Sequence, residues 1–379
     1  MKIAICAICY NRLNSLKRLL GSLEKAYYDE PVTLIISIDK SNTTEVEDFA
    51  DSYEWGNGEL RVIKHEKNLG LRNHILSCGE HLHEFDAIII LEDDVYVAPS
   101  FYYYSRECAE KYYTDPNIAG IGLFSYPVNG HNKLPFKPVP TDSDVYFLQL
   151  ACSWGQVWMK NQWFAFMNWY KIHNEEFTKQ PHLPDSICTW PKSSWLKYHD
   201  KYCIETNKYF VFPYSSLTTC FCDIGTHATK KETHTQSVMV FGEKKHFNLN
   251  PTIRYDGFFE AESIYEHLGL TKNDLCIDLF GEKRNREDKR YYLTRSQLPY
   301  RVMKSYALEF KPWELNVLND LDGHEIFLYD TTIKDKSPHY KDNKVNADYY
   351  FYMRYIDPWN VNYTSLLNTL RNIKHKIFG

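Results

Sequence analysis

Continuous apolar runs alternate with helically spaced apolar residues over the first third of the chain. The runs at 2–10 (KIAICAICY), 32–38 (VTLIISI), 60–65 and 87–91 contain β-branched residues in place of a strict polar alternation. That is the pattern of strands buried on both faces of a parallel sheet. Between the first two, Leu16, Leu19, Leu20 and Leu23 recur at helical spacing over 15–25, with Asn14 as candidate N-cap. A short acidic helix is predicted over 43–53, and the loop Asn68–Asn73 opens another that runs to about residue 83. Ser100 is placed to cap a helix that continues to about 113, where Asp115-Pro116 breaks it, and 118–125 reads as a fifth strand. This rhythm predicts an α/β fold: a mostly parallel sheet flanked by helices. Right-handed crossovers then set the loops at 10–14, 39–43, 66–73 and 92–95 along one sheet edge.

Past residue 126 the rhythm stops. Residues 127–143 are rich in Pro and Gly, 146–150 reads as a strand, 152–158 as an apolar turn region and 162–170 as an aromatic helix. Residues 177–192 read as a long loop with three prolines, a length uncommon in compact domains unless the loop is functional. A helix over 193–206 and a strand over 209–213 follow, then the small, polar stretch 215–227. The composition shifts again near 250, to a block rich in Tyr, Asn, Asp and Lys. Strand candidates there lie at 325–329 and 349–355, and a basic amphipathic helix at 366–378. The expected division is therefore 1–240, with halves 1–125 and 126–240, and an α+β extension over 250–379.

The chemistry concentrates at the end of the fourth strand. Ile88-Ile89-Ile90-Leu91 runs directly into Glu92-Asp93-Asp94. Open α/β sheets bind ligands at the C-terminal ends of their strands. Three adjacent carboxylates at a half-buried strand end repel one another unless a cation or hydrogen-bond donors offset the charge. A hard divalent ion would do so and could also grip a diphosphate. A solvated acidic turn is the plain alternative, and the apolar run before it argues against that. The first strand–helix turn, Tyr10-Asn11-Arg12-Leu13, lacks the glycine fingerprint of a dinucleotide-binding domain.

Composition narrows the classes. A formal net charge of −5 leaves no footprint for nucleic-acid binding. Aromatic residues make up 16% of the chain, which suits stacking on sugar faces as well as packing; Trp154, Trp158, Trp190 and Trp195 cluster in the middle third. Of the ten cysteines, Cys6 and Cys9 lie inside an apolar strand and read as core rather than as a zinc or redox site; Cys220-x-Cys222 is the other close pair. No secretory signal opens the chain and no apolar run approaches the roughly 20 residues that span a bilayer. A cytoplasmic protein with reduced thiols is the expectation.

The stretches Ile8–Arg12, Ile35–Asp39, Leu91–Phe101 and Tyr112–Ser125 resemble the GT-A nucleotide-sugar glycosyltransferases. The details are most similar to N-acetylglucosaminyltransferase I, and more broadly to bacterial polysaccharide glycosyltransferases. ILEDDVYVAPSF is the specific part, and the likeness fades beyond residue 126. The resemblance implies a Rossmann-like GT-A sheet and an inverting, metal-dependent transfer of a sugar, N-acetylglucosamine first, from a UDP-sugar to a glycan or lipid-linked glycan acceptor. The setting it implies is bacterial surface-polysaccharide synthesis at the inner face of the plasma membrane.

By the same resemblance Asp94 touches Mn2+ or Mg2+, with His227 on the metal or diphosphate. Glu92 and Asp93 orient sugar and ribose hydroxyls, Asp39 accepts from the uracil N–H, and Arg12 sits by the base or phosphates. Tyr10, Asn68 and Arg72, on the neighbouring loops, complete the expected nucleotide-sugar site. Asp39 reads equally well as a helix-capping acid. The family's acidic pair before a Trp is replaced here by Ser193-Ser194-Trp195, and a serine cannot take the acceptor proton unaided. Asp185 and Asp223 are the candidate bases. That departure keeps open a non-catalytic sugar-nucleotide- or glycan-binding protein. The tail helix, with Arg371, Lys374 and Lys376 off an apolar stripe, offers peripheral membrane contact or simply packs on the protein.

Overall fold

The computed structural model describes residues 1–225, 236–283, 288–335 and 357–378. The chain opens β1 (Ile3–Cys9), α1 (Leu13–Glu24), β2 (Thr33–Ile38), α2 (Glu45–Ser52), β3 (Leu60–Lys64), α3 (Gly70–Cys78) and β4 (Ala87–Glu92). It continues through β5 (Val95–Val97), α4 (Phe101–Tyr112), β6 (Ile118–Gly122), β7 (Val145–Leu148), β8 (Gln156–Met159) and α5 (Lys160–His173). Then come α6 (Asp185–Thr189), α7 (Leu196–Glu205), β9 (Tyr209–Pro213), β10 (Thr218–Cys220) and β11 (Arg254–Tyr255). A nine-stranded sheet takes the order β11-β7-β9-β6-β8-β4-β1-β2-β3. Its β4-β1-β2-β3 half is parallel throughout, while β8 runs antiparallel to both β4 and β6. The fold is the expected α/β sheet, mostly parallel.

The unbroken apolar runs have a direct structural reason. In β4, Ile88 and Ile90 point into one core and Ile89 and Leu91 into the other. In β1, Ala4, Cys6 and Ile8 face the first core and Ile3, Ile5, Ala7 and Cys9 the second. A strand with apolar neighbours on both faces cannot show period-two polarity. Helix α1 lays Leu16, Leu19, Leu20 and Leu23 on the second core, and α5 lays Trp163 and Phe166 on the first. Each such side chain withdrawn from water contributes about 1.5–3 kcal/mol. Cys6 and Cys9 are buried in these layers, as their strand position predicts.

Several boundaries differ from the sequence reading. The turn region at 152–158 is in part β8, wedged between β4 and β6. Helix α6 interrupts the long loop at 177–192. Helix α1 starts at Leu13, so Arg12 rather than Asn14 holds the cap position. Ser100 precedes α4 but does not cap it; its hydroxyl donates to Gly242 O at 2.9 Å and accepts the Lys244 N–H at 2.7 Å. Trp158 and Trp195 are buried, and Trp158 stacks on Trp163 at 3.9 Å, so neither forms a sugar platform on the surface.

Beyond residue 250 come α8 (Ser263–Leu268), β12 (Leu275–Asp278), β13 (Tyr291–Thr294), β14 (Tyr300–Tyr306), α9 (Glu314–Leu318) and β15 (Ile326–Lys334). The four strands form a second sheet, β12-β13-β15-β14. It shares a core with the first: Tyr255, Phe259, Ile277, Val317 and Ile326 pack in the same cluster as Tyr146 and Phe212. The extension also supplies β11 to the main sheet, so the compositional shift near 250 is not a packing boundary. The strand expected at 349–355 lies outside the described residues. Helix α10 (Pro358–Phe378) ends the chain and begins earlier than its apolar stripe predicted. Among the described residues no helix is long and apolar enough to cross a membrane.

Gly79 tests this packing. A Cβ there would fall 2.2 Å from the Trp163 indole, which is itself held against Trp158. Gly79→Ala should lower stability in urea unfolding by about 1–3 kcal/mol. Gly21→Ala, in α1 with no atom within 4 Å of the new methyl, should be neutral or stabilise by up to ~1 kcal/mol.

Candidate active site

The parallel register Ile8↔Glu92 brings the end of β1 beside the end of β4. Three residues past β1, Arg12 turns its guanidinium onto the acidic triplet. Its Nε donates to Asp93 Oδ2 at 3.2 Å and its Nη2 to Asp93 Oδ1, a bidentate fork. Its Nη1 donates to Asp94 Oδ2 at 3.2 Å and to the backbone oxygen of Asp223 at 3.2 Å. One guanidinium thus joins the first turn, the triplet and the loop after β10. Gly225 lies against it: a Cβ there would stand 3.4 Å from Arg12 Cδ and Nη1.

The three carboxylates meet different surroundings. Glu92, half-buried, has its pKa pushed up to about 8 by burial and by the charges of Asp94 and Asp93, which Arg12 and the Trp195 indole N–H offset only in part. Asp93, only 5% exposed at its side chain, is raised to about 6 by burial against the opposing pull of Arg12. Asp94 keeps 16% of its side chain exposed, and among the described residues its carboxylate has a single contact, 3.2 Å with Arg12. Sequence reasoning missed Trp195 as a neighbour of Glu92, a contact between segments about a hundred residues apart.

Asp39 is buried at the end of β2 and works as a cap. Its carboxylate accepts the N–H groups of Leu69 at 2.8 Å, Gly70 at 3.0 Å and Lys40 at 2.9 Å, fixing the start of α3. Asn68 ties the same two loops, donating to Lys40 O at 2.8 Å. Tyr10 is half-buried just after β1. Arg72 bonds to α5, α7 and the backbone between them rather than to the triplet. It donates to Tyr170 Oη at 2.6 Å, Tyr198 Oη at 3.2 Å and Asn174 O at 3.0 Å, with its guanidinium 4.1 Å over the Tyr198 ring. It bolts α3 to α5 and α7.

Of the two candidate bases, Asp223 joins the cluster but in an ion pair. Its carboxylate accepts from Ser15 Oγ at 2.7 Å and from Arg18 Nη2. Burial pushes the carboxyl up, but Arg18 and Ser15 outweigh it and hold it below the usual carboxylate range. A carboxylate so held is a poor proton acceptor. Ser15 and Arg18 were not singled out from the sequence, although they sit three residues apart on one face of α1, close behind Arg12. Asp185 opens α6, a short helix that packs on α7. His227 lies outside the described residues.

The chain's oxygens suit a hard divalent ion. Among the described residues no three His, Cys, Asp or Glu side chains group to hold a metal by themselves. Asp94, on the open side of the triplet, fits a site in which one carboxylate and substrate phosphates share a manganese or magnesium ion.

Residues 4–175 match the family model described as glycosyl transferase family 2. That stretch spans β1 to α5 and includes Arg12 and the whole triplet. That stretch is therefore similar to a family 2 glycosyltransferase domain, set on the mostly parallel α/β sheet. Solved structures similar to it include S. aureus TarS 1–349 in complex with UDP-GlcNAc, at 13% identity over 62% of this chain and 62% of that one, TM-score 0.39. The mannosyltransferase PcManGT of Pyrobaculum calidifontis, with GDP-Man and Mn2+, is 11% identical over 56% of each chain, TM-score 0.36. GalNAc-T7 with UDP, GalNAc and Mn2+ is 14% identical over 56% of this chain and 42% of that one, TM-score 0.40. The chain spans 60% of TarS 1–349. No curated protein sequence matches it.

The raised Glu92 carboxyl makes a signed prediction. An acid whose folded pKa lies above its unfolded value, about 4.3, stabilises the fold fully below that value. The contribution is lost as pH rises toward 8. Glu92→Gln removes the charge and keeps a polar partner for Trp195. Without divalent cations, the variant should match the parent near pH 4.5 and exceed it by on the order of 1–3 kcal/mol above pH 8. Thermal unfolding across that pH range reads the difference.

Proposed function

We propose that the protein transfers a sugar from a UDP-sugar, N-acetylglucosamine first, to a glycan acceptor with inversion at the anomeric carbon. The convergence of Arg12, Asp93 and Asp94 at the β1/β4 edge carries this reading. Asp94 would hold the divalent ion, which supplies positive charge where the leaving diphosphate becomes more negative. Arg12 and Arg18 line the same edge as fixed cations for the phosphates, and the Nε of Arg18 is buried with no hydrogen-bond partner among the described residues. Asp93, held rigid by the Arg12 fork, orients ribose hydroxyls. Glu92, at the end of β4, orients an oxygen of the transferred sugar. Asp39, already fixed by three N–H groups, has lone-pair capacity left for the uracil N–H. The acceptor proton falls to Asp185, since Asp223 is tied to Arg18.

A panel of UDP-, GDP- and dTDP-sugars with Mn2+ tests the donor. A UDP-sugar should raise the melting temperature and release UDP. Asp94→Asn should cut turnover roughly 10²–10³-fold with the fold intact. Stabilisation by a GDP- or dTDP-sugar alone would overturn the donor assignment. Binding without turnover on every acceptor tried would make the chain a binding protein, the reading that Ser193-Ser194 favours.

The tail supports contact with an anionic cytoplasmic leaflet, where a lipid-linked glycan acceptor would lie. In α10, Trp359 is 83% exposed, and Tyr363, Leu366, Leu370 and Ile373 are exposed beside it. The helix carries Arg371, Lys374 and Lys376 and no acidic residue. Each basic residue near such a surface contributes about 1 kcal/mol. Vesicles with anionic lipid should co-sediment the full chain in a salt-sensitive way and should not co-sediment a chain ending at Asp357. Equal, salt-insensitive partitioning of the two would remove the membrane role.

A further inference from the structure

Of the ten cysteines, nine are buried and one, Cys222, is half-exposed. Cys222 has a left-handed backbone, φ 47°, which folds the chain back on itself. Its N–H donates to Cys220 Sγ at 3.2 Å, and its own Sγ lies 3.3 Å from Cys220 Sγ. A disulfide needs the sulfurs roughly 1 Å closer, within reach of a side-chain rotation and a small backbone shift.

The same short segment holds the cleft together. Between the two thiols, the Phe221 N–H donates to Asp94 O at 2.9 Å. The Phe221 ring lies 3.9 Å from the Arg18 guanidinium carbon, stacked beneath it. Immediately after Cys222, Asp223 takes its backbone bond from Arg12 and its carboxylate bonds from Ser15 and Arg18. A change in the geometry of 220–222 therefore reaches Asp94, Arg12 and Arg18 at once.

We infer that Cys220 and Cys222 form a reversible oxidation site that reacts with low-molecular-weight disulfides and, when closed, loosens the donor cleft. The half-exposed Cys222 sulfur attacks one sulfur of the small disulfide; that S–S bond breaks and one small thiol leaves with the Cys222 proton. The Cys220 sulfur then attacks Cys222 in the mixed disulfide and expels the second small thiol, which carries the Cys220 proton. Two protein thiols are oxidised by two electrons and one small disulfide is reduced to two thiols. The effect on donor binding rests on the function proposed above; the oxidation does not.

Glutathione disulfide is the probe. After treatment, the intact mass should fall by two hydrogens and peptide mapping should place the link between Cys220 and Cys222. Amide exchange at 12–18 should quicken, a readout independent of any nucleotide. UDP affinity should weaken roughly five- to thirty-fold, the loss of one or two hydrogen bonds, and recover with dithiothreitol. Cys222→Ser should keep its mass, exchange rates and affinity through the same treatment, and Cys220→Ser should stop at the mixed disulfide, one glutathione heavier. A glutathione adduct that persists on Cys222 of the parent chain, or a disulfide that forms with exchange at 12–18 unchanged, overturns the inference. Failure of the untreated protein to bind UDP counts against the proposed function alone, because mass and exchange still read the switch.

Discussion

The Arg12 guanidinium is the constraint on which the cleft depends. A strand buried on both faces delivers three consecutive carboxylates to its end, where burial raises the cost of their charge. The nearest solution in the fold is a cation from the adjoining parallel strand. Because β1 and β4 run the same way, their C-terminal turns share an edge, and Arg12 needs only three residues beyond Cys9 to reach Asp93. The first strand–helix turn is therefore set as much by electrostatics as by the apolar stripe of α1. It also explains a helix that starts with an arginine at its cap position and no capping side chain.

That solution links elements far apart in the sequence. Arg12 reaches Asp223 O across 211 residues, and Arg18 pairs with the Asp223 carboxylate across 205. The loop after β10 is drawn over the triplet by these contacts and by the Phe221 N–H on Asp94 O. Asp39 performs a parallel task one strand over, gathering the starts of two loops onto one carboxylate. Two side chains, one basic and one acidic, hold the functional edge of the sheet.

What the sequence revealed and what it hid divide along the same line. The strands of the parallel half were legible because both cores read directly as unbroken apolar runs, and the shared edge followed from crossover handedness. Strand β8 was hidden because Gln156–Met159 is short and its apolar character blends into the turn before it. Arg72 lies in the first turn of α3, next to a loop at that edge, but its bonds go to Tyr170 and Tyr198, about a hundred residues on; no local pattern encodes that choice. The pairing that ties Asp223 to Ser15 and Arg18 is likewise long-range, although a serine and an arginine at helical spacing beside Arg12 were there to be weighed. Asp39 was visible as either a cap or a ligand, and its three N–H bonds establish the cap.

The triplet shows how one short motif yields three chemistries. Asp93 is forked by Arg12 and nearly sealed from water, so it is the rigid member, suited to fixing a hydroxyl's direction. Asp94 has one long contact among the described residues and keeps part of its carboxylate exposed, which is why the proposed cation is placed on it. Glu92 lies beyond direct reach of the arginine and beside two other negative charges, and burial pushes its carboxyl up to about 8. A protonated carboxyl is a hydrogen-bond donor where an ionised one only accepts. The strand ends at Glu92 and the chain turns through Asp93 and Asp94, so the turn brings both aspartates to Arg12 and leaves Glu92 behind on the strand. Exchanging Glu92 with Asp93 would preserve composition and charge and still break the site, because the arginine fork, the proton and the open carboxylate belong to positions rather than to residue types.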